Sequence, residues 1–468
     1  MPSEPKALRR VAVIDIGKTN AKVVLVDLKA GAELLHRSMP NRPVDVAPYP
    51  HADVESLWPF ILSSLGEINR EAGVDAISIT THGATAVLLD ETGGLALPVL
   101  DYEFAGPDTL AEAYAAARPP FAETGSPRLP AGLNIGAQLF WLQASFPDEF
   151  AKTATILPYP QYWAFRLTGV LASEVTSWGC HTDLWAPGKR DYSSLVDRER
   201  WRGKMAPMRK AGDVLGAILP DVANATGLSP ATPVFCGIHD SNASLLPHLK
   251  SAEAPFAVVS TGTWVISMAI GAEAKLLDEV RDTLINVNAF GDPVPSARFM
   301  GGRCYELLRP QDDTPISEDD RTRVVHEAVM LMPSVPQGSG PFPNAEGHWT
   351  VPEETLTPGT RLLALSYHLA LMTATCLDLI GAAGPVIAEG PFAANADYLK
   401  MLRAAVGRPV FASLGRTGTS LGAAGLAASR QPSSAHSQTG TVVPLEMKLA
   451  DYARQWRAHA EPALSLSD

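Results

Sequence analysis

Apolar residues along the chain fall into two alternating rhythms. Val11–Ile14 and Val23–Asp27 are β-branched runs on either side of a Gly/Thr/Asn turn, and Ala76–Thr80 and Ala86–Leu89 read as further strands. Between them, Leu57 to Ala72 has helical spacing and meets Gly73, a residue suited to closing a helix. Leu139 to Phe146 and Asp148 to Ile156 predict helices, and Glu91-Thr-Gly-Gly94 predicts a turn. The longest helical apolar stretch, Leu362 to Ile380, is interrupted by Ser366, His368, Thr373 and Asp378, so it predicts a buried helix rather than a membrane span. The alternation is that of an α/β fold.

One unit echoes within the chain. Val11-Ala-Val-Ile-Asp15-Ile-Gly17-Lys-Thr19 aligns with Phe256-Ala-Val-Val-Ser260-Thr-Gly262-Thr-Trp264: an apolar strand, a small polar turn with glycine, then a second apolar segment. Two copies of one supersecondary unit imply two similar domains, although a pair of unrelated hairpins is an equal alternative on this evidence alone. The boundary falls near Pro247–Pro255. Residues 431–443, rich in Ser, Thr, Gly and Pro, predict a surface linker, and Leu445 to Ala460 a final helix.

Composition narrows the class. At 468 residues the chain exceeds one ordinary core, and a 46% hydrophobic content suits a globular protein. A net charge of −12 leaves no basic stripe for phosphate backbones, so no nucleic-acid partner is expected. Cys180, Cys236, Cys304 and Cys376 form no CxxC pair, which fits a reducing compartment without a metal cluster or disulfide framework. No apolar stretch follows the basic N-terminus, so a soluble, cytoplasmic protein without signal peptide or membrane contact is expected.

Several turns carry chemistry. In Asp15-Ile-Gly-Lys-Thr-Asn20, Gly17 permits a tight bend, Lys18, Thr19 and Asn20 offer donors to phosphate, and Asp15 suits a magnesium ion. No Walker loop is present, and a plain hairpin turn explains the segment equally well. Ser260-Thr-Gly262-Thr263-Trp264 repeats the design without the acid. Gly237-Ile-His239-Asp240-Ser-Asn-Ala243 places a carboxylate between a strand and a helix, as ligand contact, helix cap or both. Gly390 to Asn395 and Gly415 to Ala424 are small-residue turns entering helices, which suits either a flat ligand or close packing.

In this order, these segments resemble the FGGY family of carbohydrate kinases, from about Val11 to Ala428, with Phe165-Arg-Leu-Thr-Gly169 between them. The resemblance implies an α/β fold of two actin-like, ribonuclease-H-type domains flanking a deep cleft. It implies a domain over 1–247 with the sugar side, first phosphate motif and catalytic Asp. A second domain, 248–430, would carry the second phosphate and adenosine motifs, and 431–468 a linker and helix. By the same resemblance Asp15, Gly17, Lys18, Thr19, Asn20, Gly262, Thr263, Gly390 and Asn395 hold Mg²⁺–ATP, with Asp15 on the metal. Asp240 is then the base. His82, Gly83, Asp101, Glu103 and His239 face the sugar, with spacing leaving the choice between Asp101 and Glu103 open. The Glu389-Gly390-Pro391-Phe392 run departs from the family's glycine-rich adenosine motif, and the His239-Asp240 pair is most similar to the rhamnulokinase and fuculokinase branch.

The expected reaction is ATP-dependent phosphorylation of a hydroxyl on a small sugar, a ketose or related polyol, with Asp240 as general base. A homodimer is left open. The competing readings are an actin-like regulatory ATPase, against which the polar Thr80–Gly83 strand end and Asp240 argue, and a sugar sensor without catalysis, against which retention of Asp15, Thr19, Gly262 and Asp240 argues.

Overall fold

The computed structural model describes residues 8–273, 275–311, 315–413, 418–428 and 443–460. Most of the 431–443 linker segment and the start of the 415–424 turn lie outside them. Of the described residues, one unit takes 8–250, 285–293 and 418–428, and a second takes 251–284, 294–413 and 443–460.

In the first unit Arg10–Ile16 (β1), Asn20–Asp27 (β2) and Ala32–Pro40 (β3) form an antiparallel meander, and Ala76–Thr81 (β4) runs parallel to β1. Val214–Ala217 (β5), Pro233–Phe235 (β6) and Ile238–His239 (β7) complete a seven-stranded sheet, ordered β5-β6-β4-β1-β2-β3 with β7 also paired to β4. Alternate strand residues point to opposite faces. Ile14, Ile16, Val23 and Leu25 bury against helices Val54–Ala72 (α1) and Tyr159–Thr168 (α2). Val11, Val13, Val24 and Val26 cluster instead with Ala243 of helix Asp240–Ser251 (α3) and with Ala423 and Ala424 of the helix Thr419–Ala424. Helices thus cover both faces, which is why β1 is apolar at nearly every position. Asp53 caps α1 by accepting from the Ser56 amide at 3.0 Å, and Gly73 closes it at φ 77°.

The second unit repeats the motif. Phe256–Thr261 (β8) pairs antiparallel with Val265–Ile270 (β9) and parallel with Val386–Glu389 (β11); Pro293–Phe299 (β10) flanks β9 and Val410–Ala412 (β12) flanks β11. A glycine amide closes each turn, onto the third residue on in the first unit and the second residue on in the second. The Gly17 amide donates to the Asn20 carbonyl and the Gly262 amide to the Trp264 carbonyl, each at 3.0 Å. The helix Pro358–Leu379 (α4) is long and apolar enough to span a membrane, but 78% of its most apolar window is buried inside the protein. It is the central core helix, packed on Ala396–Val406 (α5), which ends at Gly407 with φ 68°.

One predicted helix is not formed. Asp148 to Ile156 is not a single helix: Pro147–Ala151 is helical, and Thr155–Pro158 is a strand paired with Ala86–Leu89. The ladder available at Ala86–Leu89 outweighs local helical spacing for Thr155 and Ile156.

Candidate active site

Strand register assembles the site. Asp15 lies opposite Thr80 and Ile16 opposite Thr81 across β1 and β4, while Ile238 and His239 lie opposite the same two threonines across β7. Three parallel strands therefore end together, and the residues that follow them, Gly17–Thr19, His82–Gly83 and Asp240, emerge at one edge. The carboxyl ends of parallel strands are where open α/β sheets take ligands. Gly237 makes this register possible: it sits at φ 90°, and a Cβ there would lie 2.8 Å from the Ile79 carbonyl oxygen.

Asp240 is the first residue of α3, and its Oδ1 accepts from the Ser241 amide at 2.6 Å and from His239 Nε2 at 3.1 Å. It is thus a helix-terminal acceptor and still 32% exposed at its side chain. Burial raises its pKa, but the His239 hydrogen bond and charge outweigh this and hold it below the usual carboxylate range. Burial pulls the other way on His239 too; its Cys180 and Asp240 neighbours win and raise it well above the ordinary histidine value. The His239 ring lies against Gly83, where a Cβ would sit 2.7 Å from Nε2. Behind the ring, the His239 amide donates to Thr176 Oγ1 at 3.1 Å, and Thr176 donates to Glu174 Oε2. Glu174 is fully buried, and burial pushes it up to about 7.

Asp15 is pushed up to about 6, first by burial and then by the nearby Asp240 carboxylate. Among the described residues it has no ion pair, and no cluster of three or more His, Cys, Asp or Glu forms a metal cage. A half-buried carboxylate near a second one suits a cation that brings most of its own ligands, as Mg²⁺ with waters and phosphates does.

Lys18 departs from expectation. Its ammonium pairs with Asp101 Oδ1 and lies 3.3 Å from Glu103 Oε2 and 4.6 Å from the Tyr102 ring centroid. Lys18, Asn41, His82, Thr85, Asp101 and Tyr102 line a small concavity. Asp101 is 10% exposed and Glu103 63%, so Asp101 is the acid set into that wall. Asn41, not singled out in the sequence, braces the turn: its Nδ2 donates to the Gly17 carbonyl at 2.7 Å and its amide to the Thr19 carbonyl at 2.9 Å. His82 packs edge-on to Tyr102, and burial lowers its pKa. Thr19 and Asn20 are exposed at the turn.

In the second unit, Gly390 and the Gly262–Thr263 turn come together. Gly390 has φ 81°, and a Cβ there would lie 2.1 Å from the Thr261 carbonyl oxygen; one on Gly302 would lie 2.2 Å from that of Gly262. Thr261 Oγ1 ties the two loops by donating to the Glu389 carbonyl at 2.6 Å and accepting from the Phe392 amide at 3.0 Å. Asn395 is committed elsewhere. It caps α5, accepting from the Asp397 and Tyr398 amides at 3.1 and 3.0 Å, and its Nδ2 donates to Ser366 Oγ at 3.0 Å.

Residues 11–247 match the N-terminal domain of the FGGY family of carbohydrate kinases, and residues 253–436 match the carbohydrate kinase FGGY C-terminal domain. A carbohydrate kinase from Novosphingobium aromaticivorans superimposes with a TM-score of 0.89 at 37% identity, covering 98% of this chain and 100% of that one. An L-fuculokinase of Haemophilus influenzae is 26% identical over 55% of this chain and 57% of its own length. A xylulose kinase of Escherichia coli is 28% identical over 55% of this chain and 53% of its own length. The chain thus matches about half the length of these curated relatives.

Proposed function

Because this chain belongs to the FGGY family of carbohydrate kinases, with its two actin-like domains, we propose that it transfers the γ-phosphoryl group of ATP to a hydroxyl of a small sugar or polyol, with Asp240 as the base. The observation that carries the reading is the placement of Asp240: part-open, hydrogen-bonded to His239, and fixed where β1, β4 and β7 end together. Phosphoryl transfer to an alcohol asks the protein mainly for in-line positioning and charge neutralisation. Asp240 accepts the hydroxyl proton as the oxygen becomes acidic during attack, so a carboxylate held ionised is an adequate base. His239 keeps its Oδ1 oriented. In the first unit the Gly17–Asn20 turn offers backbone donors to phosphate, and in the second the Gly262–Thr263 turn with Gly390 offers backbone to the nucleotide. Asp15 holds Mg²⁺, which when bound offsets charge on the phosphates.

The names of the relatives point to ketoses, so the assay is ADP release across ketoses, aldoses and polyols. Asp240→Asn should lower kcat by about 10³-fold or more while MgADP binding stays within about twofold, the general-base contribution plus lost charge. Turnover by Asp240→Asn near the wild-type rate defeats the assignment.

A further inference from the structure

Lys18 stands on the turn expected to grip phosphate, yet its ammonium is directed to the opposite wall of the concavity. There it bridges Asp101 and Glu103 and lies over Tyr102. The lysine is 21% exposed, so its stem is packed and its head is not free to sweep through solvent. Swinging it to a phosphate would leave Asp101, 10% exposed, as a carboxylate without its cation, which is costly in a desolvated wall. The turn itself does not need the lysine, because Asn41 already holds the Gly17 and Thr19 carbonyls.

We propose that Lys18 is a substrate-side residue: with Asp101 it forms a donor–acceptor clasp for two adjacent hydroxyls of an uncharged sugar or polyol. An ammonium offers donors only, and a carboxylate acceptors only. Held side by side on one wall, they match a hydroxyl that accepts beside one that donates. The pair cancels its own charge, as His239 does for Asp240, while Glu103 leaves the wall with an excess negative charge, so a sugar acid is disfavoured. The clasp rests on the kinase reading above and names the substrate chemistry of the same site.

The test compares wild type with Lys18→Met, which keeps the stem, and Lys18→Arg, which keeps the charge. In ADP-release assays on the best neutral sugar of the panel, Lys18→Met should raise the KM for sugar tenfold or more and leave the KM for MgATP within twofold. Lys18→Arg should fall between them. Asp101→Asn should raise the same sugar KM. A rise in the MgATP KM in Lys18→Met, alone or together with the sugar KM, overturns the assignment, as does a wild-type preference for a sugar acid over every neutral sugar. Thermal stabilisation by MgADP without sugar supplies a separate arm: it should be equal in wild type and Lys18→Met, and its loss in the variant overturns the clasp. Wild type inactive on the whole panel would defeat the kinase reading instead, and the MgADP arm would still judge Lys18.

Discussion

Asp15 carries its charge where the surroundings resist it. Its folded pKa of about 6 lies above the ordinary 3.8, because burial and the Asp240 carboxylate both favour the proton. A group with a raised folded pKa contributes stability that is fully present below about pH 3.8 and is lost as pH rises through 6. At pH 7.5 the ionised side chain therefore costs the fold up to about 3 kcal/mol, two pKa units at 1.36 kcal/mol each. Asp15→Asn should stabilise the protein by up to that amount in denaturant unfolding at pH 7.5, and by about half as much at pH 5. The variant should also lose Mg²⁺-dependent turnover. An equal gain at both pH values, or none at either, would show that Asp15 is not the strained group. Retaining such a carboxylate at a cost to stability is what a site for a cation looks like.

At the scale of elements, most of the site was legible because strand–turn punctuation is local. Asp15–Asn20, Thr80–Gly83 and Gly237–Asp240 announce themselves as apolar runs meeting glycine, and parallel pairing of β1, β4 and β7 then sets them side by side. What stayed hidden depends on contacts across long stretches of chain. Lys18 meets Asp101 across a separation of 83 residues, and Thr176 meets the His239 amide across 63. Nothing in Ser173-Glu-Val-Thr176 distinguishes it from an ordinary helix start, which it also is, with Glu174 capping the Thr176 amide at 3.0 Å. Asn395, a small polar residue before a helix, serves as its cap, a role the sequence reading did not separate from ligand contact. The Thr176 hydroxyl fixes the backbone just before Asp240, so Thr176→Val, similar in shape, should lower kcat about tenfold through misplacement of the proposed base. Thr176→Ser should restore it. A Thr176→Val enzyme with normal kcat, or one that Ser fails to rescue, would reduce this hydrogen bond to a packing detail.

For the molecule as a whole, sequence order and spatial order part company. The contiguous division at about residue 247 assigns 418–428 to the second domain, yet these residues belong to the first unit. The helix Thr419–Ala424 closes the sheet face formed by Val11, Val13, Val24 and Val26, and Ser78 Oγ donates to the Ala423 carbonyl at 2.8 Å. Gly422 permits the approach, since a Cβ there would fall 1.7 Å from the Ala243 carbonyl oxygen. Ala243 lies one turn into α3, whose first residue is Asp240, so a methyl group at position 422 pushes on Asp240, the proposed base, through the helix that carries it. Backbone offers no rotamer to relieve that clash, and overpacking of this kind costs about 1–3 kcal/mol. Gly422→Ala should therefore lower both the unfolding midpoint and kcat. Gly425→Ala is the internal control, because its nearest neighbour would be Lys250 Nζ at 4.0 Å and its φ of −60° suits any residue. If both substitutions were silent, helix Thr419–Ala424 would not be seated on α3 in solution, and the path from this late segment to Asp240 would be lost.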